Sequence, residues 1–339
     1  MTIRTTQSGD RPPPPPSVPT APPGSAGSGL KSVSRVGDRV MRVLATGSGL
    51  LVSAAIGLIA VFLLITAIPS LLKNSVNFFT YQGTWDVSGA ELKFGIPAQF
   101  YATVLVSVIA LVIAMPVALG IAVFVTEYAR PRIAGPITYV VDLLAAVPSI
   151  VYGLWGILVL GPALVGVNQW LVDNLGFLPF FQPPQNAANM STGGTLLTAG
   201  IVLAVMILPV ITAVTREVFA KTPLAQREAA LALGATKWEV VRTAVLPFGF
   251  SGYISGSMLG LGRALGETMA LLLIISTVGP INFNLMESGQ TFATVIANNA
   301  SEFDTPAKTG AYISAGLVLF VLTFIVNAAA RAVIARRGA

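Results

Sequence analysis

The 339-residue chain is 54% hydrophobic and only 10% charged, with a mean hydropathy of +0.78. A soluble domain carries roughly a quarter charged residues, so this composition indicates an integral membrane protein. The chain contains no histidine and no cysteine, which excludes the commonest general base, disulfides and thiol chemistry. We therefore expect no metal site and no cofactor.

The first 46 residues differ in composition from the rest of the chain. The stretch 11–29 is rich in proline, glycine and serine, and such a sequence cannot bury enough apolar surface to fold. The following stretch, 31–46, has the four cations of a basic approach to a membrane surface. The sequence therefore predicts a disordered, basic cytoplasmic tail over 1–46 and a membrane domain over 47–335.

Six apolar stretches follow the tail, and each is long enough to cross the ~30 Å hydrocarbon core of a bilayer. We predict these spans near 48–72, 97–126, 134–164, 194–220, 249–278 and 309–332. Pro116 and Pro148 predict bends in the second and third spans. The predicted fold class is an all-α membrane protein with six transmembrane helices.

The distribution of lysine and arginine predicts the orientation of the spans. Sixteen of these residues fall on the side that holds both termini, the 127–133 loop and the 216–242 region, whereas three fall on the other side. Positive charge accumulates on the cytoplasmic side of membrane proteins, so both termini are expected to be cytoplasmic. The net charge of +6 is then a topology signal, and no nucleic-acid partner is predicted.

A polar, amphipathic segment lies between the fourth and fifth spans. Thr222 can cap a helix that begins at Pro223, where a missing N–H costs nothing. Gly234 can end that helix because glycine adopts positive φ readily. A capping box begins at Thr236 and starts a second helix, which Pro247 is expected to close. The pattern predicts a helix–turn–helix at the cytoplasmic end of the bundle.

This segment, residues 222–247, resembles the EAA loop of ABC-importer membrane subunits. The pattern is E-A-A, three residues, G, nine residues, I, any residue, L-P, and the matching residues are Glu228, Ala229, Ala230, Gly234, Leu246 and Pro247. Ala244 stands where the pattern has isoleucine. The resemblance implies that these residues, together with Arg227, dock the loop into a groove on an ATPase and transmit its closure. An ordinary hairpin between two spans is the alternative.

The fifth predicted span contains two charged residues, Arg263 and Glu267. They are four residues apart, so we expect them on one helical face. Arg263 is expected ~20 Å from the cytoplasmic end of its helix. A charge at that depth costs at least ~2.5–3.5 kcal/mol, so it should face protein or a water-filled path. Either the two side chains neutralise each other and fix helix packing, or Arg263 binds an oxyanion through its two-pronged guanidinium while Glu267 orients it.

Glycines in the same span indicate close helix packing. Gly252, Gly256 and Gly260 recur at every fourth position, so they form one small face that a neighbouring backbone can approach.

Asp142 is the other charge that we expect to be buried, about two turns into the third span. It precedes Pro148, which frees a backbone carbonyl, and the hydroxyls of Ser149 and Tyr152. A hydrogen bond from Asp142 to another span is the default expectation, and a place on the substrate path is the alternative.

Two further stretches indicate which subfamily of ABC-importer permeases the chain resembles. AVPSIVYGLWG at 146–156 and GLGRALGETMA at 260–270 are similar to the permease subunits of the phosphate-specific ABC importer, of the PstC type rather than the PstA type. The resemblance covers about 45–335. It implies the type I, MetI-like permease fold and a role in transport for Arg263 and Glu267.

The family resemblance also implies a function and a set of partners. The chain would be the transmembrane permease subunit of an ATP-driven phosphate importer, would form half of the translocation path and would not itself be an enzyme. Its partners would be a PstA-like second permease in a heterodimer, two copies of a nucleotide-binding ATPase that hydrolyses ATP, and an extracytoplasmic phosphate-binding protein. The expected location is the bacterial cytoplasmic membrane, which the chain crosses several times.

Two alternatives to this function remain open from the sequence. One is a permease for another oxyanion, such as molybdate, sulfate or a phosphonate. The other is a membrane scaffold or sensor whose loop contacts an ATPase without passing a substrate.

Overall fold

The computed structural model describes residues 36–88, 91–275, 281 and 283–337. Within these residues the regular structure is helical apart from two isolated bridges, which join Asn74 to Leu92 and Asp86 to Lys93. Backbone contacts divide the chain into two units, Met1–Ala55 and Ile56–Ala339. The described part of the first unit is one exposed helical stretch, and the buried core residues lie in the second unit.

The described residues contain six helical stretches that are long and apolar enough to cross a membrane. They are Gly37–Leu72, Pro97–Tyr128, Ser149–Leu175, Ala187–Ala220, Lys237–Leu265 and Pro306–Ala332. The predicted all-α fold with six candidate spans is therefore confirmed.

The α-helices are numbered in chain order. They are α1 (Val36–Leu72), α2 (Pro97–Val123), α3 (Pro131–Ala146), α4 (Ser149–Trp155), α5 (Gly161–Leu175), α6 (Ala187–Thr192), α7 (Leu196–Ala220), α8 (Leu224–Ala232), α9 (Lys237–Val240), α10 (Leu246–Leu265), α11 (Met269–Ile274), α12 (Phe292–Asn298) and α13 (Pro306–Arg337). Wider π-helical turns continue α2, join α4 to α5 and join α9 to α10, at Phe124–Tyr128, Gly156–Leu160 and Val241–Val245.

The first span begins earlier than predicted. The tail boundary at residue 46 falls inside α1, which already starts at Val36, while residues 1–35 lie outside the described part of the chain. The stretch after Val36 has no proline to interrupt a helix. It also carries apolar residues at helical spacing, including Val40 and Leu44, so the helix of the span extends back through it.

The third span was predicted over 134–164, and this prediction is wrong. Val147 and Pro148 are both extended, with ψ of 130° and 138°, so the chain breaks between α3 and α4. The residue before a proline is pushed out of the helical region by the proline ring. The span therefore starts after this break, at Ser149, and runs to Leu175, beyond the predicted end at 164.

The fifth span also differs from its predicted limits, 249–278. Pro247 does not close a helix, because the π-helical turn before it carries the helix directly into α10. A π turn shifts the hydrogen-bond register, and the proline then occupies the first turn of α10, the part of a helix where proline is tolerated. The helix ends at Leu265, with Gly266 as its C-terminal cap.

The core of the second unit is the packing of α7 against α2 and α10. One face of α2 presents small residues at every fourth position, and each is at most 2% exposed: Ala102, Val106, Ala110, Ala114, Ala118. Gly252 and Gly256 of α10 lie against Val218 and Val214 of α7, where an added Cβ would come within 3.0 Å of those side chains. The predicted glycine face is therefore a close-packing face, as in other membrane helix pairs.

The segment between α1 and α2 packs against the start of α13. The Trp85 ring stacks on the Tyr312 ring with centroids 5.5 Å apart, and Tyr312 donates a hydrogen bond to Glu302 at 2.9 Å. Asp86 remains exposed. The tryptophan of this loop is thus part of a small aromatic cluster, and the neighbouring carboxylate faces outward.

Candidate functional site

Arg263 lies near the end of α10 and lines a cavity of about 640 Å³. Three helices, α7, α10 and α13, provide the lining residues, which are Val210, Ser255, Met258, Leu259, Gly262, Arg263, Asn327, Ala330 and Arg331. Arg263 is half-buried. Two of the lining residues are cations and none is a carboxylate, so the cavity is suited to an anion.

The guanidinium of Arg263 makes no ion pair or hydrogen bond with any residue that the structure describes. An arginine on a membrane span needs protein, water or a ligand around its charge. The five N–H donors of Arg263 are therefore available to an oxyanion in the cavity.

Arg331 and Asn327 are two polar lining residues on α13 that the sequence did not single out. They lie four residues apart on α13, so they share a helical face, and both are exposed. From the sequence, Arg331 was counted only among the cytoplasmic positive charges that predict the orientation of the chain. The spacing N-A-A-A-R was the available signal, but nothing local showed that this face of α13 meets Arg263.

The prediction that Arg263 and Glu267 share a helical face is wrong. Glu267 lies beyond the end of α10, and its Oε1 accepts a hydrogen bond from the backbone N–H of Ala270 at 3.0 Å. It is only 8% exposed. The N–H groups at the start of α11 have no partner within that helix, and this carboxylate satisfies one of them, which explains its position.

The expectation that Asp142 is buried is also wrong. Its side chain is 50% exposed and lies on α3, outside the third span. The nearest cation is Arg216 of α7, with Nη2 3.5 Å from Oδ1. The expected contact with another span is therefore present, as a long ion pair. The exposure follows from the break at Pro148, since α3 buries only Val141.

The break between α3 and α4 is closed by one hydrogen bond. The Tyr152 hydroxyl donates to the carbonyl oxygen of Leu144 at 2.8 Å. One residue further, Gly153 lies against the backbone of Ala270, where an added Cβ would come within 2.8 Å of Cα. These contacts fix α4 and α11 next to each other and so position Glu267.

Two of the three caps predicted for the helical hairpin at 222–247 are present. Gly234 has a φ of +82°, the left-handed conformation that glycine adopts at low cost. Thr236 and Glu239 form the predicted capping box, with the Thr236 N–H donating to Glu239 Oε2 at 2.7 Å. Thr222 does not cap α8, because Pro223 occupies the N-cap position and the buried Thr222 Oγ1 has no hydrogen-bond partner.

The hairpin presents an exposed, partly apolar surface. No residue of α8 is buried, and Glu228, Ala229, Gly234 and Pro247 are exposed while Ala230 and Leu246 are half-buried. The large apolar side chains beside them are also exposed, namely Leu224, Leu231, Leu233 and Trp238. An apolar patch of this kind marks an interaction surface rather than a solvated loop.

Arg227 is one of the residues that the sequence predicts to contact the ATPase, but its side chain is turned towards the bundle. Its Nη1 donates to Glu127 Oε2 at 3.1 Å, and its Nη2 donates to the Phe219 carbonyl oxygen at 2.8 Å. Glu127 lies in the π-helical turn that continues α2. The sequence did not single out this glutamate, because its partner is 100 residues away.

Residues 114–338 match the family model of the binding-protein-dependent transport system inner membrane component. This is more than half of the chain, and the chain therefore belongs to this family of importer membrane subunits. The predicted resemblance is confirmed. The chain is accordingly a permease subunit of an ABC transporter and a multi-pass membrane protein, and it is a membrane component rather than an enzyme.

The curated relatives extend over nearly the whole chain. The phosphate transport system permease protein PstC 2 of Mycobacterium tuberculosis (strain ATCC 25618 / H37Rv) is 56% identical over 302 residues, which are 88% of this chain and 92% of that protein. The corresponding PstC of Xylella fastidiosa (strain Temecula1 / ATCC 700964) is 40% identical over 295 residues, 85% of this chain and 89% of that protein.

A solved structure shares the fold. It is a bacterial ABC transporter involved in the import of the acidic polysaccharide alginate, with a TM-score of 0.50 and 16% identity, and the match covers 89% of this chain and 99% of that chain. At this identity the likeness concerns the fold alone. The described helices thus have the arrangement of an ABC-importer permease, as predicted.

Proposed function

We propose that this chain is the permease subunit of an ATP-driven phosphate importer in the bacterial cytoplasmic membrane, with both termini on the cytoplasmic side. The observation that carries the proposal is the 56% identity to a phosphate transport permease over 88% of the chain. The family match over residues 114–338 includes the hairpin and the three helices that line the cavity.

The cavity supports an anionic substrate. Arg263 has no described anionic partner and shares the cavity with Arg331. A guanidinium binds tetrahedral oxyanions through two parallel hydrogen bonds, and desolvation within a span strengthens that attraction. Glu267 and Asp142 lie outside the lining residues, so we assign them to positioning α11 and α3 beside the path.

The hairpin supports coupling to an ATPase. Its exposed apolar residues and the exposed Glu228 form a compact surface at the end of the bundle. In the proposed complex two ATPase copies bind such hairpins, one from this chain and one from a PstA-like second permease. A phosphate-binding protein delivers the substrate from outside. Closure of the ATPase dimer moves the hairpin, and the two permeases together open the path.

The first test is the uptake of labelled phosphate by cells that lack the gene. The cells are complemented with wild type, Arg263→Gln or Arg132→Gln, with sulfate and molybdate as competitors, and the membrane level of each protein is measured. Arg132 is exposed on α3 and lies outside the cavity, so it is the matched control. We expect uptake from wild type and the control, little uptake from Arg263→Gln, and competition by unlabelled phosphate alone.

Other results would change specific parts of the proposal. Competition by sulfate or molybdate would reassign the substrate to another oxyanion. Equal uptake by Arg263→Gln and wild type would remove Arg263 from the path. A complex that binds an ATPase but restores no uptake of any of these anions would favour a membrane scaffold or sensor.

A further inference from the structure

The helix α8, which carries the exposed hairpin surface, is attached to the membrane bundle through Arg227. The Arg227 Nη2 lies 3.0 Å from Glu127 Oε1, and Nη1 donates to Oε2 at 3.1 Å. The same guanidinium donates to the Phe219 carbonyl oxygen, near the end of α7. Among the described residues of α8, no other side chain makes a hydrogen bond or ion pair outside the helix.

The ion pair is shielded from solvent. The Arg227 side chain is 21% exposed and that of Glu127 is 11% exposed. An apolar cluster, formed by Ala122, Phe219 and Val245, lies next to the pair at the ends of α2, α7 and the π turn before α10. A charge pair in such surroundings is held firmly, since removal of one partner leaves the other charge desolvated and unpaired.

The position of Glu127 connects the pair to the cavity. Glu127 lies in the π-helical continuation of α2, and α2 packs along α7 through its row of small residues. Val210 of α7 is one of the lining residues of the cavity. A displacement of α8 that pulls on Glu127 therefore acts on the helix pair beside Arg263.

We propose that the Arg227–Glu127 ion pair is the link that transmits the movement of α8 to α2, and that Arg227 acts within the chain instead of binding the ATPase. Both are positioning residues, since neither touches substrate in this arrangement. The inference rests on the proposed function, because it concerns the step between the ATPase and the path. The proposal predicts that transport requires opposite charges in contact at positions 227 and 127, whichever of the two residues carries the positive charge.

The test uses the whole complex, reconstituted in liposomes with the second permease, the ATPase and the binding protein. Arg227→Glu, Glu127→Arg and the swapped double variant are compared for ATP hydrolysis and for phosphate transported per ATP. We expect each single reversal to lower transport per ATP about tenfold or more, the effect of ~1.4 kcal/mol of lost coupling. The swap should restore transport per ATP to within about threefold of wild type.

A second ion pair in the same region provides the matched control. Glu217 and Lys221 lie 2.7 Å apart at the end of α7, but their side chains are 68% and 65% exposed. An exposed ion pair contributes little to stability. This pair also lies within one helix end and does not connect two helices. Reversal of both charges should leave transport per ATP unchanged.

A measurement of distance separates this inference from the proposed function. The chain has no cysteine, so spin labels can be placed at Gln226→Cys on α8 and Arg130→Cys after α2, two exposed positions. We expect ATP to leave this distance unchanged in wild type and in the swap, and to change it in Arg227→Glu. This readout requires no phosphate transport.

Three results would overturn the link. One is a swap that assembles but transports no better than the single reversals. Another is an ATP-driven change of the spin-label distance that is as large in wild type as in Arg227→Glu. The third is a loss of complex assembly in the single variants that the swap does not repair. If wild type moves no phosphate while the distance behaves as expected, the substrate assignment fails and the link stands.

Discussion

Arg263 of α10 and Arg331 of α13 line one cavity, although they are 68 positions apart in the sequence. Like charges repel, so two arginines in one cavity without a carboxylate lining it are favoured only when water or an anion lies between them. The arrangement therefore assigns Arg331 a part in anion binding, beyond the positive charge that it adds to one side of the membrane.

The first prediction concerns the charge of Arg331. Arg331→Gln should raise the KM for phosphate uptake about three- to tenfold, because ~0.7–1.4 kcal/mol of attraction is lost, and kcat should change less. Arg331→Lys keeps the charge and should stay within about twofold of wild type. Initial uptake rates over a range of phosphate concentrations measure both constants. A KM that is unchanged in Arg331→Gln would assign this arginine to topology alone.

The second prediction concerns Glu267. Its carboxylate accepts from the Ala270 N–H, so Glu267→Ala should lower the unfolding free energy by about 0.5–2 kcal/mol, the usual range for a lost helix cap. Glu267→Gln retains an acceptor oxygen and should lose less. Thermal unfolding of the detergent-solubilised protein compares the two variants. If both lower the Tm equally, the negative charge matters more than the hydrogen bond.

The locally determined features of the chain were predictable. Gly234 and the capping box at Thr236 depend on neighbouring residues, and both have the predicted geometry. The number of spans was predictable because each apolar stretch is long enough to cross a bilayer, although the third span was misplaced. Pro148 was identified as a bend, but the extended conformation that proline imposes on Val147 ends the helix altogether.

The features that depend on distant residues were not predictable. Helix α10 ends at Leu265, and Glu267 accepts a hydrogen bond from the start of the next helix, an arrangement that no periodicity encodes. Arg227 was assigned to the ATPase because its motif is an interaction motif, and its partner, Glu127, lies on another helix. A single sequence shows that a charge needs a partner in a membrane protein, but it does not show which one.

The third prediction concerns the contact between α4 and α11. A methyl group on Gly153 would lie 2.8 Å from the Ala270 Cα and 3.0 Å from its carbonyl oxygen, so the backbones would have to separate. Gly153→Ala should lower the unfolding free energy by about 1–3 kcal/mol, as overpacking does, and should displace Glu267. Thermal unfolding and phosphate uptake are the two measurements.

Gly166→Ala is the control for this prediction. Gly166 is also helical, on α5, but has open space where its Cβ would lie. The same substitution should therefore be neutral or stabilising by up to ~1 kcal/mol. A Gly153→Ala variant as stable as this control would show that α4 and α11 separate without cost.

The last prediction concerns Gly234, whose φ of +82° ends α8 and turns the chain towards α9. Nothing lies within 4 Å of its Cβ position, so any effect of a substitution is conformational rather than steric. Gly234→Ala should cost about 1–2 kcal/mol in this left-handed conformation, and Gly234→Asn should cost less because asparagine tolerates it. Hydrogen exchange at the amides of 232–236 measures the cost as faster opening of the turn.

Gly135→Ala, on α3, separates the conformational effect from a general effect of removing a glycine. Gly135 is equally open but lies within a helix and has no positive φ, so alanine should slow exchange around it. If Gly234→Ala and Gly135→Ala both slow exchange, the turn does not require glycine. If only Gly234→Ala speeds exchange and also weakens binding of the ATPase, the left-handed turn is what holds the hairpin surface in its binding geometry.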